Sequence, residues 1–202
     1  MIAEALHLKE GEEIEISIHS EPAFAQGELW EDEPDEVDYE ETTSDQCPID
    51  WDVWVSPDGS DDGDGSANQP FQTIGWALSV VVGTEDNPVT INLTEGTFSP
   101  STTGEEFPIF MISHMDIFGA GDELTVLNAE RTERTMVFES VFGSSVKNLT
   151  ITGGWNDTAC PGGGGVFSRF SDMSLTNVIV SDNFTDFIGG GGIYCEGFLS
   201  IE

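Results

Sequence analysis

The chain has 202 residues, 38% of them hydrophobic, with 5 Lys and Arg against 39 Asp and Glu for a formal net charge of -34. That length suits one good-sized domain plus a tail. The charge excludes nucleic acid and anionic membrane surfaces as partners, because both are bound through Lys and Arg, while it attracts cations and favours solubility.

No apolar run reaches the length of a membrane span. Met1 to Lys9 shows neither a basic n-region nor an apolar h-region, so no secretory signal is visible there. Cys47, Cys160 and Cys195 have no metal-binding spacing, and their odd number leaves at least one without an intrachain partner.

Along the chain, the alternation in Glu12–Ile18 predicts one exposed strand. Ten acids and no base between Glu28 and Asp45 predict an extended linker. Residues 1–50 are therefore expected to form an acidic extension, with a folded domain over 51–202. Trp51–Val55 reads as a strand and Ser56–Gly65 as a turn-rich loop. Phe71, Ile74, Leu78 and Val81 follow at helical spacing, with Pro70 at the start and Gly83 beyond the end. Only short strands come after: Val89–Leu93, Met115–Phe118, Thr125–Leu127, Met136–Phe138, Leu149–Ile151, Val178–Val180 and Ile193–Tyr194.

Two segments recur. Gly162–Phe167 returns as Gly189–Tyr194, and Val146–Ile151, with Asn148 in it, returns as Leu175–Val180, with Asn177 at the matching place. Repeats of nearly thirty residues without helical periodicity belong to strand solenoids, in which each coil stacks on the last about 4.8 Å away. The expected fold is all-β, a right-handed parallel β-helix, with apolar residues stacked inward and Asn148 beneath Asn177 in an amide ladder. The short helix, Trp76 included, is expected to cap the N-terminal end of the solenoid core. The chain stops at Phe198–Glu202, partway through a coil. An uncapped coil predicts self-association through that end and a longer natural protein.

Trp54–Ser66, Asn68–Ile74 and Ile91–Phe98, in that order, resemble the opening of right-handed β-helix proteins of the pectate-lyase-like superfamily. They are close to a domain of unknown function found at the start of bacterial secreted proteins. Asn183–Tyr194 is similar to the Gly-Gly repeats of polymorphic outer-membrane proteins, which are adhesin-like. The resemblance implies the fold and an extracellular or outer-cell-surface location. Because enzymes, adhesins and structural proteins share the scaffold, function has to be argued from a site.

Asp58, Ser60, Asp62, Asp64, Ser66 and Gln69 occupy positions 1, 3, 5, 7, 9 and 12 of a calcium-loop pattern with Gly63 at 6. Position 12 is Gln rather than a bidentate Glu, and the same residue types build tight turns. Both readings stand, with Asp58, Ser60, Asp62 and Asp64 as the candidate ligands of calcium. Trp155, in a Gly-rich loop, is a candidate sugar-stacking residue or a packing residue. A lyase would need calcium-binding carboxylates and a base, and the bases are limited to Lys9, Arg131, Arg134, Lys147 and Arg169. Arg169 with Asp172, Asp182 and Asp186 could be read as a carbohydrate-cleaving set or as solvated loop residues. The sequons at Asn92, Asn148, Asn156 and Asn183 read as structural asparagines.

Two functions follow. The first is a secreted or cell-surface protein, adhesin-like or contacting polysaccharide or host-cell glycan, with no catalytic set in this segment. The alternative is a calcium-assisted polysaccharide lyase, or related carbohydrate-active enzyme, whose active coils lie beyond residue 202.

Overall fold

The computed structural model describes residues 52–157, 162–186 and 189–202. The strand expected at Glu12–Ile18, the acidic linker, the boundary at residue 50, Cys47 and Cys160 lie outside them.

The elements are β1 (Asp52–Val55), α1 (Ile74–Val80), β2 (Val89–Leu93), β3 (Gly96–Phe98), β4 (Ile109–Phe110), β5 (Met115–Phe118) and β6 (Thr125–Asn128). They continue as β7 (Met136–Glu139), β8 (Ser144–Thr152), β9 (Trp155–Asn156), β10 (Val166–Val180), β11 (Phe184–Thr185) and β12 (Ile193–Ile201). Each pairing of these strands is parallel. The result is an all-β parallel solenoid of about four turns with one short helix.

Three faces arise from the pairing. On the first, β1, β2, β5, the start of β8 and the middle of β10 run side by side. On the second, β3 and β6 lead to the end of β8. On the third, β4 and β7 lead to the starts of β10 and β12. Strands alternate in and out, so register alone sets the core. Ile91, Ile117, Val146 and Leu175 stack inward on the first face, and Phe98, Leu127 and Ile151 on the second. Ile109, Met136 and Val166 do so on the third. Each fully buried side chain of this kind contributes roughly 1.5–3 kcal/mol.

The amide ladder expected from the repeats is present. Asn177 Nδ2 donates to Asn148 Oδ1 at 3.2 Å, and both residues have left-handed backbone, φ 52° and 56°. Asn tolerates that conformation better than most residues, and here it turns β8 and β10 from the first face to the second. The coil below has Gly119 at this corner, where a Cβ would lie 2.2 Å from the Asn148 carbonyl oxygen. The Gly-rich repeats also stack, with Gly163 N–H donating to Gly190 O at 2.7 Å.

The helix is shorter than the apolar spacing predicts. Phe71 N–H bonds Trp54 O, and Phe71 bridges to Val55, so Phe71 belongs to the strand layer. Thr73 is the N-cap, its hydroxyl accepting from Trp76 N–H at 3.2 Å, and Val81 is already extended. Ile74, Ala77 and Leu78 enter the common core. Two distant carboxylates hold the first turn. Asp61 Oδ1 accepts from the N–H groups of Gln72 and Thr73 at 2.8 and 2.9 Å, and Glu105 accepts from those of Ile74 and Gly75 at 2.7 and 2.9 Å. These donors have no partner inside the helix.

Candidate functional site on the third face

The Asp58–Gln69 loop folds as a set of side-chain-stabilised turns. Ser60 Oγ accepts from Asp62 N–H at 3.3 Å, Asp64 Oδ1 from Ser66 N–H at 2.9 Å, and Ser66 Oγ from Gln69 N–H at 3.3 Å. The Ser66 bonds also hold the Asp64 carboxyl below its ordinary range. Asp58, Ser60, Asp62, Asn68 and Gln69 line a hollow of about 350 Å³, and Asp64 is not among its lining residues. Among the described residues, no three of His, Cys, Asp and Glu converge where they could hold a metal ion.

Trp155 lies in β9, half-buried, and its Nε1 donates to Asp186 Oδ2 at 3.1 Å across to the next coil. Beside it the Arg131 guanidinium lies 4.0 Å from the centre of the Phe184 ring, and Phe184 pairs with Trp155. Asp186 is thus engaged by Trp155, and Asp172 by Gly143 N–H at 3.1 Å. Arg169 meets Glu196 at 3.7 Å.

A groove forms on the third face, where the sequence marks only Arg134 and Arg169 as bases and Asn156 as a structural asparagine. Phe110, Val137, Phe167 and Tyr194 share one register position on β4, β7, β10 and β12, with Phe110 exposed, Tyr194 half-buried and Val137 and Phe167 buried. Phe167 and Tyr194 stack with ring centres 5.6 Å apart and planes 9° from parallel. The planar Arg134 guanidinium covers Phe167 at 4.3 Å, a favourable cation–π arrangement. Phe110 is 64% exposed at the end of the stripe. Two residues farther along, Glu139, Arg169 and Glu196 form a second row in register. Phe110, Glu133, Arg134, Val137, Glu139 and Asn156 are among the residues that line a groove of about 220 Å³ here. Asn156 is buried and its Nδ2 donates to Thr185 Oγ1, so the groove offers an exposed ring, a guanidinium plate and two carboxylates side by side, a surface for a ligand with apolar faces and hydroxylated edges. A signal existed in the repeat, since Phe167 and Tyr194 hold corresponding places in the two Gly-rich segments.

Two carboxyls elsewhere are perturbed. Burial pushes Glu105 up to about 7 against the lowering effect of its two backbone bonds. The hydroxyls of Ser101 and Ser99 hold Glu130 below its ordinary range.

Searches against solved structures align the chain with pectin methylesterases. A point mutant of one, in complex with a hexasaccharide, shows 15% identity over 66% of this chain and 44% of that one, with a TM-score of 0.45. A second hexasaccharide complex gives 16%, 68%, 45% and 0.44, and PemA from Erwinia chrysanthemi gives 14%, 74%, 45% and 0.45. The chain spans less than half the length of each. No curated protein matches it. Residues 57–160 match the family described as "Protein of unknown function (DUF1565)". Since that segment is just over half of the 202 residues, the chain belongs to this family.

Proposed function

We propose that the protein is a carbohydrate-contacting β-solenoid whose third face receives a glycan, without catalysis in this segment. One observation carries the reading: the exposed Phe110 ring and the Arg134 guanidinium lying over Phe167 border one groove with Glu133 and Glu139. Rings and guanidinium plates stack on the apolar face of a sugar, while carboxylates pair with its hydroxyls. The contact is made at Phe110 and the Arg134 plate, since Val137 and Phe167 of the same register are buried. The proposal extends to an adhesin-like role in a secreted or cell-surface setting, and to α1 as the cover of the solenoid's first coil. Among the described residues no helix is long and apolar enough to cross a membrane.

A glycan array run with and without calcium tests this, using the protein and Phe110→Ala. Phe110 is exposed, so its loss leaves the core intact. The expected result is glycan capture that Phe110→Ala weakens by about tenfold, the scale of one lost stacking contact. Capture that the substitution leaves unchanged contradicts the site. Unsaturated sugar products appearing only with calcium would instead support the polysaccharide lyase.

A further inference from the structure

We infer that the groove on the third face selects an uncharged glycan over an acidic one, an inference that rests on the carbohydrate reading of that groove. Recognition of a carboxylate-bearing sugar calls for a guanidinium or ammonium able to take it in charge-assisted hydrogen bonds. Among the described residues the cations are Arg131, Arg134, Lys147 and Arg169, and each lies over a ring: Phe184, Phe167, Phe118 and Phe170, at 4.0, 4.3, 4.7 and 4.7 Å. Only Arg134 and Arg169 border the groove. Arg169 is further tied to Glu196, and Arg134, lying flat over Phe167, has Glu133 and Glu139 beside it in the groove as negative neighbours.

Glu133 and Glu139 line the same groove, so its wall is formally neutral while the chain as a whole carries -34. An acidic polymer laid along the third face would pass both carboxylates and Glu196 in the strong negative field of the whole molecule. A hydroxylated, uncharged polymer meets no such opposition. Its hydroxyls donate to Glu133 and Glu139, and its apolar faces rest on Phe110 and the Arg134 plate. Glu133 and Glu139 thereby act as specificity determinants.

Calorimetric titration of the full chain with cellohexaose, mannohexaose and hexagalacturonate, at low and at high salt, decides the matter. At low salt one of the neutral hexaoses should bind at least about tenfold tighter than hexagalacturonate, because like charges suppress the wrong partner. Its affinity should be unchanged at high salt, where hexagalacturonate should gain as the repulsion is screened. Glu133→Gln with Glu139→Gln should raise hexagalacturonate affinity several-fold, and no gain would remove these two residues from the selection. Hexagalacturonate binding as tightly as the neutral sugars at low salt overturns the inference while leaving the carbohydrate site standing. Binding of neither class overturns both.

Discussion

Glu105 makes the solenoid's stability depend on pH in a direction opposite to that of an ordinary surface carboxylate. The side chain is 2% exposed, and its two oxygens face the N–H groups of Ile74 and Gly75. Burial dominates those bonds, with Asp61 and Glu106 adding repulsion, and lifts the carboxyl from 4.5 to about 7. The folded protein therefore keeps this proton over a range in which the unfolded chain has lost it. Stability from Glu105 is fully present below pH 4.5 and is lost as pH rises through 7. A shift of that size corresponds to about 3 kcal/mol.

Glu105→Gln removes the titration and keeps the shape. It loses one acceptor for the two helix donors, at a cost of about 1–3 kcal/mol that does not vary with pH. Urea unfolding of both proteins at pH 5 and pH 8 measures the effect. The native protein should lose about 2.5 kcal/mol more than the variant between those two pH values, part of the total being already lost at pH 5, and other titrating groups cancel in the comparison. A difference between the two proteins that stays flat with pH would refute the reasoning. It would mean that the helix N–H groups hold Glu105 ionised throughout.

Asn177→Ala should destabilise by about 1–2 kcal/mol through left-handed strain and the lost bond to Asn148, and Asn177→Gly should recover the strain portion. Urea midpoints check both variants, and equal losses would discount the strain. Ser168 is fully buried with its hydroxyl lacking a hydrogen-bond partner among the described residues. Ser168→Ala should therefore stabilise by about 1 kcal/mol, read as a higher melting temperature. Calcium coordination by Asp58, Ser60, Asp62 and Asp64 predicts a melting temperature raised by millimolar calcium, through mass action, and unchanged in Asp62→Ala with Asp64→Ala. An equal rise in the double variant assigns the effect to screening of the net charge.

The solenoid was legible because Asn148 and Asn177, like Val166 and Ile193, repeat at the offsets that the strand pairing then adopts. The helix start was misjudged because Phe71 keeps helical spacing yet spends its N–H on Trp54 O. β4, β9 and β11 have two residues each, too few to show a period. The groove was obscured for a related reason. Ile109, Met136, Val166 and Ile193 are separated by unequal numbers of residues, because the loops differ from coil to coil. Phe110 and Val137 join Phe167 only once those registers are known. Nothing around Glu105-Glu106 marks one of two adjacent acids for burial, since that depends on where α1 docks.

Hydrogen exchange, followed by mass spectrometry with the tightest glycan from the array, bears most directly on the proposal that the third face is the carbohydrate site. Backbone amides along the groove in β4, β7 and the start of β10, around Phe110, Val137 and Phe167, should exchange more slowly in the complex, because a ligand that binds the folded state suppresses local opening beneath it. The first and second faces should be unaffected. Protection confined to the Asp58–Gln69 loop or to the surroundings of Trp155, with the third face unchanged, would contradict the account.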